Sequence, residues 1–263
     1  MTKFVYPVIK SQRRLERVPT QRQEHDATGE ERSKRRERAN RILDAATELV
    51  KRWGYRKTTM DDIAKQAGVA KGTIYLHWRT REQLFEALIL RERLLVADEL
   101  MHRLAQDPEA GTLHGITRHT FLIVMQRPLI RAIFLQDSDL LGEMLDSAAI
   151  QEAVQQKSLA FVGYVELLRR YNLVRSDMDT RTMAAALAAI TIGFMVIDPM
   201  MPDEYRLSLE ENAAILAQTV RRTFEPEEPP SEEVLREAAA LFQRMYHQLI
   251  EQARKQLYQE MER

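Results

Sequence analysis

Residues 58–85 read Thr-Thr-Met-Asp-Asp-Ile-Ala-Lys-Gln-Ala-Gly-Val-Ala-Lys-Gly-Thr-Ile-Tyr-Leu-His-Trp-Arg-Thr-Arg-Glu-Gln-Leu-Phe, and their pattern decides the fold. They spell two short helices joined by a tight turn, then the start of a third. Thr59 has the chemistry of an N-cap, and Asp62 stands three residues on, in the reciprocal capping position. Asp61 and Asp62 fall in the first turn, where the helix dipole favours negative charge. Met60, Ile63, Ala64 and Ala67 mark one apolar face. Gly68 ends the helix where a left-handed residue is wanted, and Val69 follows as an apolar anchor. The spacing then predicts a second helix over Lys71–Trp78, with Ile74 and Trp78 on one stripe and Gly72, Thr73, Leu76 and His77 away from it.

That division carries a functional expectation. The inner stripe fastens the second helix to its neighbours and leaves the other side chains to meet something outside. A glycine costs a helix roughly 1 kcal/mol against alanine, so Gly72 in the opening turn points to a close approach by another surface. Lys71 offers charge, Thr73 and Tyr75 offer hydroxyls, and His77 offers a ring nitrogen. These are the groups that contact phosphates and base edges.

The run Thr-Thr-Met-Asp-Asp-Ile-Ala, then Ala-Gly-Val-Ala-Lys-Gly-Thr-Ile-Tyr, then His-Trp and Arg-Glu-Gln-Leu, resembles the DNA-binding signature of the tetracycline-repressor (TetR) family, over roughly Ile42 to Leu88. The resemblance implies a dimeric, all-helical transcriptional regulator. Its N-terminal helix-turn-helix would bind operator DNA, and its variable C-terminal domain a small molecule. By position it places DNA contacts on Thr59 and Arg81 (phosphate) and on Lys71, Gly72, Thr73, Tyr75 and His77 (recognition helix). Two departures matter. Ala70 stands where the family often has a capping serine, a loss worth about 1 kcal/mol. Asp61 stands where some members carry a basic residue, and no contact is carried onto it.

Composition fits this reading. The 263 residues contain no cysteine, so neither disulfides nor thiol chemistry are in play, and the 44% apolar share is ample for a core. Nine glycines and nine prolines suit a mostly helical chain. The first residues include Lys3, Lys10, Arg13 and Arg14 and no apolar run resembling a signal peptide. The longest apolar stretch, Met183 to Ile197, is shorter than the roughly 20 residues of a membrane span. A cytoplasmic location is expected. Formal net charge is zero, but residues 1–82 carry 20 Lys plus Arg against 11 Asp plus Glu. A basic first third on an acidic remainder is the asymmetry of a nucleic-acid reader on a non-binding body.

In chain order, residues 1–37 are expected to form a basic N-terminal arm, partly disordered or helical, with Thr28 and Glu31 as a capping box opening a basic helical stretch. Such an arm would follow phosphates or enter a minor groove. Residues 38–82 form the helix-turn-helix domain, braced by a helix over Arg38–Trp53 and stopped by Gly54. Residues 83–225 form the effector-binding and dimerisation domain. Thr80 and Gln83 open a long connecting helix to about Ala105. Further helices are expected over Thr112–Gln126, from Pro128, and over Ala149–Tyr171. Thr180–Ile197 is apolar on all sides and is expected to be buried on all sides. A helix over Ser208–Phe224 follows, and the resemblance makes these last two the homodimer interface. Residues 226–263 hold a Pro-rich acidic linker and an added amphipathic helix whose stripe is Leu235, Ala239, Phe242, Tyr246, Ile250, Ala253, Leu257 and Met261. A stripe of that length must pack on something, its own body or the partner subunit.

An effector pocket is sought among Phe121, Met125, Phe134, Met144, Phe161, Tyr164 and Phe194, which would suit a hydrophobic effector. No metal site is expected: His114 and His119 are five apart, off one helical face, and the other histidines are isolated. No phosphate loop, nucleophile elbow or zincin motif occurs, so neither a cofactor nor catalysis is expected. The function expected is a repressor on palindromic double-stranded operator DNA, released by a small effector. The alternative is an architectural DNA-coating protein without one.

Overall fold

A computed structural model describes residues 21–262, with side chains from residue 29 onward except at 108, 149, 153, 157, 158, 245, 248 and 249. It is all-α, and no strand occurs among the described residues. Helix α1 spans Gln21–Trp53, α2 Met60–Ala67, α3 Lys71–His77 and α4 Arg81–Gln106. The body continues with α5 (Leu113–Met125), α6 (Pro128–Leu135), α7 (Ser138–Leu141), α8 (Ala148–Arg170), α9 (Thr180–Val196) and α10 (Leu209–Phe224). A last helix, α11, runs from Glu232 to Glu262.

The local signals act as expected at most boundaries. Thr59 and Asp62 form a full capping box on α2, and Ser208 and Glu211 form another on α10. Gly68 takes the left-handed conformation at φ 65° and hands its N–H back to Ala64 and Lys65. Gly54, at φ 77°, does the same after α1, and a Cβ there would stand 2.9 Å from the Asp139 carbonyl oxygen. The α1–α2 turn is therefore seated on α7, and the Tyr55 N–H donates to the Leu140 carbonyl at 2.8 Å.

Two buried cores result. The first gathers Ile42, Leu43, Ala46 and Val50 of α1, Ile63 of α2, Ile74 and Trp78 of the α3 stripe, and Leu84, Phe85 and Leu88 of α4. The second gathers Phe121 to Val124 of α5, Tyr164, Val165 and Leu168 of α8, and Leu216, Val220 and Phe224 of α10. α4 contributes to both.

Two expectations need correction. The basic stretch around Thr28 does not start a new helix: α1 runs unbroken from Gln21, and residues 1–20 lie outside the described residues. α9 is not buried on every side, since only Met183 and Met195 are buried along it. A helix apolar all round is covered all round only if enough neighbours exist, and this single chain supplies too few. Of the two surfaces expected for the α11 stripe, it meets its own chain and touches both cores.

Candidate nucleic-acid interface

The recognition helix α3 is seven residues long, and its two faces are unlike each other. Ile74 is fully buried and Trp78, which ends the helix as its C-cap, nearly so. Burying one such side chain is worth roughly 1.5–3 kcal/mol, and these two hold a helix too short to persist alone. On the other face Leu76 is 69% and Tyr75 42% exposed, while Lys71 and Gly72 are exposed and Thr73 half-buried. A Cβ on Gly72 would meet nothing within 4 Å, so the space above the first turn is open. The start of α3 has no side-chain cap, because Ala70 offers no oxygen.

Lys71 is held by Asp61 of α2 at 2.7 Å, and that hydrogen bond raises its ammonium pKa above the ordinary lysine value. The pair bridges the two helices on the exposed side. An approaching phosphate would compete with Asp61 for the same ammonium. Thr59 is exposed with its hydroxyl oxygen accepting from the Asp62 N–H at 3.2 Å, so the side chain fixes the α2 terminus at the surface.

Two expected contacts are placed otherwise. His77 is only 7% exposed, and its Nδ1 donates to the Met261 carbonyl at 2.9 Å. The sequence reading set His77 apart from the Ile74 stripe, but three residues on from Ile74 it shares that face of the helix, and α11 arrives there and covers it. Burial holds its pKa below the ordinary histidine value, with the charges of Arg38 and Arg35 acting in the same direction and the Met261 carbonyl opposing. Arg81 is half-buried over the Tyr55 ring, 3.8 Å from its centroid. Its guanidinium donates to the Tyr55 and Thr58 carbonyls, so it closes the α1–α2 turn from within. The residue missed by the sequence reading is Thr58, fully buried with its hydroxyl donating to the Gly54 carbonyl at 2.9 Å. A threonine four residues past a helix-stopping glycine was the available signal.

In the body, six of the seven pocket candidates lie in or against the second core: Phe121 and Tyr164 buried, Met125, Phe134, Phe161 and Phe194 partly so. The Tyr164 hydroxyl donates to the Gly111 carbonyl at 2.9 Å. Met144 belongs to the first core instead, because the segment after α7 folds toward α1. An open depression lies elsewhere, at the start of α9 between Asp179, Arg181, Thr182, Ala185 and Ala186. No group of three or more metal-ligating side chains occurs among the described residues. No described helix is long and apolar enough to cross a membrane.

A capped helix, a left-handed glycine and a short second helix pinned by two side chains, with its far face open, define a helix-turn-helix. Residues 42–88 match the sequence pattern of the bacterial regulatory proteins of the tetR family. Among curated relatives, an uncharacterized HTH-type transcriptional regulator, YhgD of Bacillus subtilis (strain 168), is 33% identical over 136 residues, 49% of this chain and 66% of its own length. The chain thus spans just under two thirds of that relative. The HTH-type transcriptional repressor BepR of Brucella suis biovar 1 is 26% identical over 161 residues, 59% of this chain and 77% of its own. Among solved structures, the SmeT–triclosan complex shares the fold with a TM-score of 0.54 at 20% identity, over 74% of this chain and 95% of that one. Residues 42–88 thus carry the DNA-binding pattern of the tetR family, and the chain is similar to HTH-type transcriptional regulators.

Proposed function

We propose that the protein is a homodimeric repressor that places α3 of each protomer in a major groove of a roughly palindromic operator. Half-sites would be about one helical turn, some 34 Å, or a multiple of it apart, as twofold docking requires. The observation that carries this reading is the outward face of α3, where Lys71, Gly72, Thr73, Tyr75 and Leu76 stand free of the core that holds Ile74 and Trp78. Thr59 adds a phosphate contact at the start of α2. Such a protein works in the cytoplasm, where its DNA lies.

Dimerisation would use the apolar surface of α9 and α10, where Ile192, Val196 and Ile215 are exposed. A small hydrophobic effector would enter the body by displacing the partly buried Met125, Phe134, Phe161 and Phe194. The triclosan held by the structural neighbour is a ligand of that kind. Release then requires that the effector bind the non-reading state more tightly than the reading one.

Selection of bound sequences from a random DNA pool tests the reading, followed by gel shifts. We expect a symmetric site. Tyr75→Ala should weaken it about 10–100-fold, the worth of a base-edge contact, with the dimer intact. Binding by that variant at wild-type strength would show that α3 does not read the DNA.

A further inference from the structure

α11 starts on the body and ends beside the recognition helix, and its apolar stripe changes partner on the way. Leu235, Ala238 and Phe242 lie in the body core, whereas Ile250, Leu257 and Met261 lie in the core of the reading domain. Arg254 pairs with Asp98 at 2.5 Å and ties the middle of the helix to α4. The last turn then makes polar contacts to the reading domain. The Met261 carbonyl accepts from His77 Nδ1, the Glu262 carboxylate pairs with Arg36 at 3.2 Å, and the Glu262 carbonyl accepts from Arg35 at 3.1 Å.

We propose that α11 is a second connector from body to DNA reader, and that its last turn positions the recognition helix through His77. The proposal rests on α3 being the reading element. α3 has seven residues and no side-chain cap at its start, so what holds it comes from its neighbours. Ile74 and Trp78 fix one side. His77 fixes another, one helical turn from Thr73, and its ring orientation is set because a carbonyl acceptor demands the proton on Nδ1. α4 is joined to the reading domain by the chain itself. α11 arrives from the body with no such join, so a shift of the body relative to α3 must either carry His77 along or break its bond to Met261.

The test uses the full chain and the operator selected above, with binding read by fluorescence anisotropy and with melting temperature and dimer state measured beside it. His77→Ala should weaken operator binding on the order of tenfold, the worth of one hydrogen bond. His77→Asn, whose amide N–H sits near the Nδ1 position, should restore binding to within about threefold. A chain ending at Leu257 lacks the Met261 acceptor, along with the buried Met261 side chain and the Glu262 contacts to Arg35 and Arg36, but keeps His77, and it should lose at least a similar factor. Adding His77→Ala to that shortened chain should then change nothing further, since the two act through one bond. If His77→Ala destroys the fold, the shortened chain and His77→Asn still decide. The inference is overturned if the shortened chain binds within twofold of wild type, if the two losses multiply, or if His77→Asn is as weak as His77→Ala. Tyr75→Ala run in parallel separates the two failures. Wild-type binding by Tyr75→Ala removes α3 as reader and this inference with it, whereas weak Tyr75→Ala beside normal α11 variants removes this inference alone.

Discussion

The reading domain and the body bury their apolar residues to different degrees. In the reading domain the core closes within one chain: Ile42, Ile63, Ile74, Leu84 and their neighbours are covered, and Tyr75 and Leu76 stand out on one face of one helix. In the body, α8 to α10 leave Leu159, Val162, Ile192, Val196, Ile197 and Ile215 exposed beside a well-filled core. An apolar face of that extent normally meets another surface. The two regions therefore have different unfinished business. On the reading proposed above, the first would take a polar, charged ligand and the second would take apolar surface. A second copy of the chain would supply such surface and double the reader at the same time.

The sharpest way to break this comparison is to spoil the body's face and leave the reader alone. Ile192 is 40% exposed on α9 and far in sequence from α3. Ile192→Glu would bury an unpaired carboxylate in the expected interface, a cost of several kcal/mol. The expected outcome is a folded monomer whose operator affinity falls about 100-fold or more, the scale on which interface hot spots act. Sedimentation velocity and anisotropy on the same samples check it. A variant that stays dimeric shows that the face left open on α9 has another use.

A second, smaller effect sharpens the contrast in polar chemistry. The reading domain keeps its ion pairs at the surface, as Lys71–Asp61 does. The body buries one at the joint where α10 ends and the linker to α11 begins. His114 Nδ1 donates to the Glu225 carboxylate at 2.7 Å, with both side chains about nine-tenths covered. Burial pushes the His114 pKa down, but the Glu225 and Glu109 carboxylates outweigh it and hold the pKa above the ordinary histidine value. Because the folded-state pKa is the higher one, the stabilisation is fully present below the unfolded value of about 6.5. It fades as pH rises through the folded value. His114→Gln should cost about 2 kcal/mol at pH 6 and distinctly less at pH 9, as read by urea unfolding. An equal cost at both pH values would mean that the ring acts only as a neutral donor.

How much of this was legible depended on whether the cause lay nearby in the chain. Thr59 with Asp62, Ser208 with Glu211, and the stop at Gly68 are decided within four residues, and the structure follows them. The inner stripe of α3 was equally readable, since Ile74 and Trp78 are four apart. His77 was readable only in part. Three residues from Ile74 it shares the inner face, but nothing nearby in the chain says that residue 261 will stand in front of it. The same limit applies to α9, whose composition states how much surface wants covering and not whether this chain or a second one covers it. Arg81 shows a third kind of miss. Its position marks a surface charge, yet the Tyr55 and Thr58 carbonyls at the α1–α2 turn and the face of Tyr55 draw the guanidinium inward.

The smallest effect concerns how complete the reader is before DNA arrives. Ala70 already holds the extended backbone of an N-cap, φ −69° and ψ 144°, and is exposed, but it has no oxygen to offer the first turn of α3. Ala70→Ser supplies one without changing the backbone. The gain should be about 0.5–1 kcal/mol, a rise of roughly 1–4 °C in Tm for a chain of this size. Scanning calorimetry reads it, and no rise would mean that the start of α3 does not limit the domain. The operator affinity of the same variant then separates two pictures of the reading face. If α3 is fully formed in the free protein, the serine stabilises free and bound states alike and affinity stays put. If the helix is completed only against the duplex, part of the gain is spared from the ordering cost of binding, and affinity rises up to about fivefold. The second outcome is expected, because seven residues pinned by Ile74, His77 and Trp78 are held from the middle to the C-terminal end, while the first turn, with Lys71 and Gly72, is restrained by the Asp61 pair and the Thr73 N–H on the Ala70 carbonyl, without a side-chain cap.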